Sequence, residues 1–521
     1  MHPPDDQRIH EKLRRLQDGQ PPRVVDLFSG CGGMSLGFRA AGCEILAGIE
    51  LEEIRAKTHA RNFHGGDPEA ERRHGQGRDV TVLEPVETLR ELNPELKPEV
   101  DILVGGPPCQ AYARVGRAKL REIAQHPFAY QKDPRGQLYS AYIRWVAALR
   151  PVAVVMENVP DILSYGGENV AEIIAETLDS MGYEARYTLL NAAFYGVPQT
   201  RERWYLIAIH RSAGVGPQFP TPTHFTTLPR GYLGTRSHAL GWKTLAEGDR
   251  PAHALLVPEP DGVLQPATSC RDALSDLPSV RPEMKEQRGR RDLDMRLPYR
   301  SPPSTPYQHQ MREWVGRASA MDVSAQVVRY LPRDWETFRR MPQGAYYPQA
   351  WEVAWTRFEE KLANLRAGGE LIPEGGPRWI EVRDSIVPPY DREKFPNKWW
   401  KLQEGLPSRT LMAHLSHGSY SHIHYDASEA RTISVREAAR LQSFPDHFEF
   451  CGAMNAAFGQ IGNAVPPLMA QHLARSVCAA LANASPPIEI SASGSVKRRR
   501  AAAAQQELPY HASPAHTRQG A

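Results

Sequence analysis

The chain is poor in cysteine. Its six, Cys31, Cys43, Cys109, Cys270, Cys451 and Cys478, are scattered over 521 residues with no Cys-x-x-Cys pair and no Cys/His ligand spacing. That argues against a disulfide framework and a structural metal site, and predicts a reducing compartment. No run of 18 apolar residues occurs, and no charged-then-apolar leader opens the chain. A soluble, cytoplasmic protein with no membrane partner is therefore expected. Neither sign of charge prevails: 63 Lys and Arg against 60 Asp and Glu give a net +3. A protein-wide field for a polyanion is thereby excluded, and any basic surface must come from local clusters. Internal repeats are absent, and the length suffices for two or three domains.

Short apolar strands are present, each ending in residues that can do chemistry. Val24-Val-Asp-Leu-Phe28 reads as a strand, followed by the turn Ser29-Gly-Cys-Gly-Gly-Met-Ser-Leu-Gly37 and a helical stretch. A strand, a glycine-rich turn and a helix make the first unit of a nucleotide-type site, with the helix N-terminus facing the ligand. The spacing Gly30, Gly32, Gly33, Gly37 is not the dinucleotide pattern, and alone it would suit a tight structural turn equally well. About 20 residues on, Glu44–Glu50 reads as a second strand ending in an acid, placed to accept hydrogen bonds from ribose hydroxyls. Asp79-Val80 could receive the exocyclic amine of an adenine. Together the three features point to an adenosine cofactor.

Val100-Asp-Ile-Leu-Val104 runs into Gly105-Gly-Pro-Pro-Cys-Gln110, so Cys109 follows a buried strand on a turn stiffened by two prolines. Most free cysteines are small core residues. A thiol presented at a sheet edge can instead be a nucleophile. Pro151–Met156 is apolar enough to be buried on both faces and ends in Glu157-Asn158-Val159, a carboxylate at the carboxyl edge where open α/β folds keep their sites. In Gln199-Thr-Arg-Glu-Arg203, Arg201 and Arg203 fall on one side of an extended segment. Each feature has a plainer reading as a solvated strand end; their convergence on one sheet edge favours a site.

These segments resemble the DNA (cytosine-5)-methyltransferase family. The resemblance rests on Asp26–Gly33, Gly106-Pro-Pro-Cys-Gln110, Glu157-Asn-Val159, Gln199–Arg203, Arg436–Pro445 and Gln460-Ile-Gly-Asn-Ala-Val-Pro466, in the family's order and covering about 22–211 and 405–482. One departure is Ala113, where the family usually carries serine. The resemblance implies a Rossmann-like, S-adenosylmethionine-dependent α/β fold with an inserted, mostly irregular and β target-recognition domain. It implies Cys109 as the nucleophile on cytosine C6 and Glu157 at N3. Arg203 would hold O2 and that carboxylate, and Gln110, Asn158 and Arg201 would complete the catalytic set. The cofactor set it implies is Phe28, Ser29, Gly30, Cys31, Gly32, Gly33, Glu50, Leu51, Asp79, Val80, Gly106, Pro108, Leu138, Asn463, Ala464 and Val465, with no metal. The substrate would be double-stranded DNA carrying a flipped-out cytosine, and Arg114, Arg117, Lys119 and Arg121 would close over it. A monomer is expected, with a cognate restriction or defence-system partner.

The expected organisation is a disordered N-terminus (1–20), a first catalytic part (21–211), a target-recognition domain (212–404), a second catalytic part (405–483) and a disordered basic tail (484–521). Arg288-Gly-Arg-Arg291 and Lys497-Arg-Arg-Arg500 could meet phosphates, although such clusters are commonly solvated faces. Two rival readings stay open. A tRNA methylase of the same core usually carries Cys-Phe-Thr in the middle domain, whereas Cys270 here precedes Arg-Asp. A catalytically inactive DNA-binding relative would lack the Pro-Cys or Glu-Asn-Val residues, and both are present.

Overall fold

The computed structural model describes residues 3–95, 97, 99–108, 137–164, 169–228, 251–256, 258, 262–281, 284, 293–394 and 396–484. Cys109, Gln110, the loop to residue 136, Arg288–Arg291 and the tail from 485 lie outside the described residues. Strands β1 (Arg23–Leu27), β2 (Glu44–Ile49), β3 (Ile102–Gly105), β4 (Ala153–Asn158), β5 (Tyr183–Asn191) and β7 (Glu202–His210) form one sheet, ordered β2-β1-β3-β4-β7-β5. The two-residue β6 (Gln199–Thr200) pairs instead with Ser408–Arg409. Side chains alternate across the sheet with the period of two that a pleat imposes. Val24, Ile102, Val104, Val155 and Ile207 enter one apolar layer, and Val25, Leu103, Val154, Met156 and Leu206 enter the other.

The βαβ alternation predicts a parallel sheet, and the structure corrects this. β2, β1, β3 and β4 are parallel, but β7 runs antiparallel to both β4 and β5. A parallel return needs a crossover of about a dozen residues, usually helical. The link from Asn191 to Glu202 is instead a 3-10 turn, Ala192–Tyr195, and β6. β7 therefore folds back beside β5 and brings its first residues to the carboxyl edge of β4.

The expectation of a disordered N-terminus is also corrected. Helix α1 (Pro3–Gln17) buries Ile9 and Leu13, four residues apart on one face. Buried Lys12 donates to the carbonyls of Val100, Leu149 and Arg150 at 2.7–2.8 Å. Helix α2 (Gly33–Ala40) lies against the C-terminal helix Pro467–Ala482 so closely that a Cβ on Gly37 would overlap Ala470. No helix among the described residues is long and apolar enough to cross a membrane.

The middle segment is largely irregular, as expected, but its β pairs are of two residues each and helices outweigh them among the described residues. It also holds the longest helix among the described residues, Tyr347–Ala367, against the expectation of a mostly irregular and β domain. Its buried stripe is narrow and partly made of small side chains: Tyr347, Ala350, Ala354, Phe358 and Leu362. Residues around Cys270–Val327 share the apolar cluster of the C-terminal helices, whereas Phe338–Ala350 with Trp399, and Phe358–Val387, form two further clusters. Buried Arg440 joins the first of these regions to the C-terminal part. It pairs with Asp446 at 2.5 Å on its own side and with Asp276 at 3.1 Å across the junction.

Candidate active site

The carboxyl ends of β1 to β4 and the first residues of β7 surround a cavity of about 580 Å³. β1 delivers the turn Phe28–Gly33, which needs unusual backbone: Phe28, Gly30 and Gly32 have φ of 58°, 54° and 98°. At Gly32 and Gly30 glycine removes the cost of that region. Gly33 has a different reason. A Cβ there would overlap the Val465 carbonyl oxygen, so the turn and the Asn463–Val465 loop touch backbone to backbone.

Glu50, just past β2, is nearly buried, and each carboxylate oxygen accepts a backbone N–H: Gly30 at 3.0 Å and Glu52 at 2.9 Å. Asp79 Oδ1 accepts from Thr81 N–H and its hydroxyl at 2.9 and 2.7 Å, which fixes the acid on its turn. Burial raises the Asp26 carboxyl to about 7, against two hydrogen bonds from Ser35 and with a smaller upward push from Glu50.

At the β4 edge, Glu157 pairs in register with Tyr205 of β7. Arg203 is two residues from Tyr205 and so lies on the same face, diagonal to Glu157. Its Nε stands 3.1 Å from Glu157 Oε1, with both side chains only 15% and 13% exposed. Asn158 donates from Nδ2 to the Pro107 carbonyl at 2.8 Å, tying the end of β4 to the turn that leads to Cys109. Arg201, expected beside Arg203, lines the same cavity but makes different contacts. The chain leaves the sheet at β6, and Arg201 donates to the carbonyls of Leu411 and Gly462 at 2.9 and 3.2 Å.

The cavity brings together Phe28, Ser29, Gly30, Gly33, Glu50, Leu51, Asp79, Val80, Gly106, Pro108, Leu138, Asn463, Ala464 and Val465 with Glu157, Asn158, Arg201 and Arg203. Cys31 and Gly32 do not line it. Cys31 is buried with its thiol pushed up to about 12 by desolvation, and its Sγ faces the Gln460 carbonyl at 3.7 Å. Gly32 caps α2 against Phe63 and His59. Sequence reasoning missed Asp26, Arg55 and Met412 as lining residues. Asp26 carried a signal, an acid inside an apolar strand; Met412 carried none. Among the described residues no cluster of three His, Cys, Asp or Glu could hold a metal ion.

Comparison with known proteins agrees with this architecture. The family described as C-5 cytosine-specific DNA methylase matches residues 22–246 and 334–479. A chain of Oceanobacillus iheyensis, provisionally named a type II methyltransferase, is 38% identical over 461 residues, covering 88% of this chain and 96% of that one. The type II methyltransferase M.AgeI of Thalassovita gelatinovora is 30% identical over 493 residues, covering 88% and 100%. The crystal structure of a prophage-encoded E. coli protein, provisionally described as a DNA modification methyltransferase, shares the fold. Its TM-score is 0.56 at 19% identity, covering 88% of this chain and 99% of that one. With the family matched over most of its length and relatives aligned nearly end to end, this chain belongs to the C-5 cytosine-specific DNA methylases.

Proposed function

We propose that this C5 cytosine methyltransferase modifies a cytosine flipped out of duplex DNA, through a covalent bond from Cys109 to C6, as the modification half of a type II restriction system. The observation that carries the reading is the Glu157–Arg203 pair at 3.1 Å on the wall of the same cavity that begins with the glycine turn and Glu50. The wall fits an adenosine-bearing cofactor. The turn gives close backbone approach, Glu50 is oriented by two N–H groups with lone pairs left for ribose hydroxyls, and Asp79-Val80 stand ready for an adenine edge. S-Adenosylmethionine, bound there, would supply the electrophilic methyl group for C5 and be left as the neutral thioether.

Cytosine C5 is a weak nucleophile, so the ring must first be activated. The Cys109 thiolate adds to C6, and electrons move towards N3 and O2. Glu157 bonds or protonates N3, and Arg203 holds O2 and the Glu157 carboxylate, meeting charge where it develops. After C5 is methylated, a base removes its proton, the C5–C6 double bond re-forms and Cys109 leaves. Pro108, the chain neighbour of Cys109, is part of the cavity wall. Asn158 and Arg201 hold that wall through Pro107, Leu411 and Gly462. Gln110, next to the nucleophile, completes the proposed set. Target recognition is assigned to the segment 212–404, whose Arg, Trp, Tyr and Gln side chains suit base edges and phosphates.

A duplex carrying 5-fluorocytosine cannot lose its C5 substituent and should trap the enzyme as a denaturation-resistant adduct. Cys109→Ala should form none. An adduct with Cys109→Ala would identify another nucleophile, and no adduct with the native chain would remove the covalent route.

A further inference from the structure

Beneath the glycine-rich turn, three buried side chains form a line that ends at the cavity. Asp26 of β1 is 1% exposed, Ser35 of α2 is 0% and His59, from helix α3 (Glu53–His64), is 1%. Asp26 Oδ2 accepts from the Ser35 hydroxyl at 2.6 Å and from the Ser35 N–H at 3.2 Å. His59 Nε2 stands 3.0 Å from the same hydroxyl oxygen.

The direction of donation follows from counting protons. Above about pH 7, where Asp26 is ionised, its carboxylate takes the single Ser35 hydroxyl proton, so the Ser35 oxygen accepts from His59 Nε2–H. His59 Nδ1 is buried and has no partner among the described residues, which places the ring's single proton on Nε2. Burial, and then the neighbouring His64 and His74, holds His59 well below the usual imidazole range, keeping it neutral. Donation therefore runs from His59 to Ser35 to Asp26.

Two further features show what the line holds. Gly32, the N-cap of α2, has no side chain to cap the helix, and Asp26 reaches across from the sheet to do so at Ser35, the third helical residue. Room for the imidazole is made by two glycines. A Cβ on Gly48 would sit 2.5 Å from His59 Nε2, and one on Gly32, in the turn itself, 3.0 Å from Cδ2. Asp26 also forms part of the cavity wall beside Glu50. The oxygens of Glu50 are each engaged by a backbone N–H, whereas both donors to Asp26 fall on Oδ2.

We propose that His59 is a positioning residue for the cofactor: through Ser35 it fixes the Asp26 carboxylate as the acceptor for the cationic amino-acid end of S-adenosylmethionine. This rests on the reading of the cavity as the S-adenosylmethionine site. His59→Phe keeps a ring against Phe63 and removes the donor, and His59→Gln restores a donor. Binding of S-adenosylmethionine to the full-length protein is measured by calorimetry, with steady-state methylation alongside.

His59→Phe should weaken binding about tenfold, the usual scale for one hydrogen bond acting on a charged acceptor. KM for the cofactor should rise to match while kcat at saturation stays within twofold, and His59→Gln should recover most of the loss. Native affinity in His59→Phe, failure of Gln to recover it, or a fall in kcat alone overturns the proposal. If His59→Phe does not fold, Ser35→Ala carries the same expectation, and unchanged affinity there overturns it. Sensitivity to Glu50→Ala with indifference to His59 and Ser35 sinks this proposal alone. Absence of S-adenosylmethionine binding by the native chain sinks the cavity reading with it.

Discussion

Arg203 is held to Glu157 by strand register: two residues along β7 from the partner of Glu157, it shares that residue's face and closes to 3.1 Å. The proposed charge-stabilising pair thus depends on the antiparallel placement of β7 and needs no loop to assemble it. Glu157→Gln and Arg203→Ala should each slow single-turnover methyl transfer by about a hundredfold or more, the usual loss on removing one such group. Gel-shift affinity for the cognate duplex should persist. Binding that falls in step with the rate would make the pair structural.

Gly33→Ala should be destabilising, because the added Cβ meets the Val465 backbone carbonyl and not the end of a flexible side chain. Overpacking of this kind costs about 1–3 kcal/mol. Thermal unfolding should show the drop, and calorimetry should show weakened binding of S-adenosylmethionine. Native values for both would mean the turn and the 463–465 loop are not in fixed contact.

Acid should destabilise the protein through the Arg431 cluster. Burial opposes ionisation of Glu429, but the Arg431 guanidinium, His424, the Ser279 hydroxyl and the Val280 N–H outweigh it and lower its carboxyl to about 2. Glu437 is also lowered, with burial overcome by Arg431. A depressed acid stabilises the fold above its unfolded value of 4.5 and loses that contribution as pH falls towards 2. For Glu429 the contribution is on the order of 3 kcal/mol. Urea unfolding at pH 7, 5 and 3 should show the decline, and Glu429→Gln should flatten it while lowering stability at pH 7. An equally steep decline in the variant would place the acid sensitivity elsewhere.

The proposed recognition segment can be exchanged only along seams that the core allows. Exchanging all of 212–404 removes Asp276 from Arg440, Ser324 from Arg436 and Ser279 from Glu429, all buried or partly buried contacts. Breaking one buried ion pair costs about 3–5 kcal/mol. An exchange limited to about 334–401 leaves them whole and takes the long helix with most of its two apolar clusters, parting only Leu331, Tyr420 and Ile423 from the first. The smaller chimera should fold and methylate the donor's target by bisulfite sequencing, and the larger should fold only if the incoming segment supplies an acid for Arg440. An active chimera of either size that keeps the original target would place recognition outside the segment.

Much of the sheet and the site wall could be read from the residues. Val24–Leu27, Glu44–Ile49 and Ala153–Asn158 are mostly apolar runs, the first leading into a glycine-rich turn, the second into Glu50 and the third closing on Glu157-Asn158, and local order suffices to find them. Asn463–Val465 was reachable only through the family resemblance, since no local pattern marks that loop as a cavity wall. The antiparallel entry of β7 was hidden because periodicity reports that a strand exists and not its direction. The Tyr347–Ala367 helix was obscured by Trp351 and Trp355, which widen an alanine-based stripe into an irregular pattern. Arg440 reads as a surface charge until Asp276, 164 residues earlier, is placed beside it.

The meeting of Gly33 with Val465 also sets a clock on the ribosome. At about 5–20 residues per second, the first side of the cavity emerges tens of seconds before the side that Asn463–Val465 provide. Any ligand that needs both sides of the cavity must therefore wait for the chain beyond residue 463. A product stopped short of residue 463 carries the glycine turn and Glu50 but lacks the Asn463–Val465 side of the cavity.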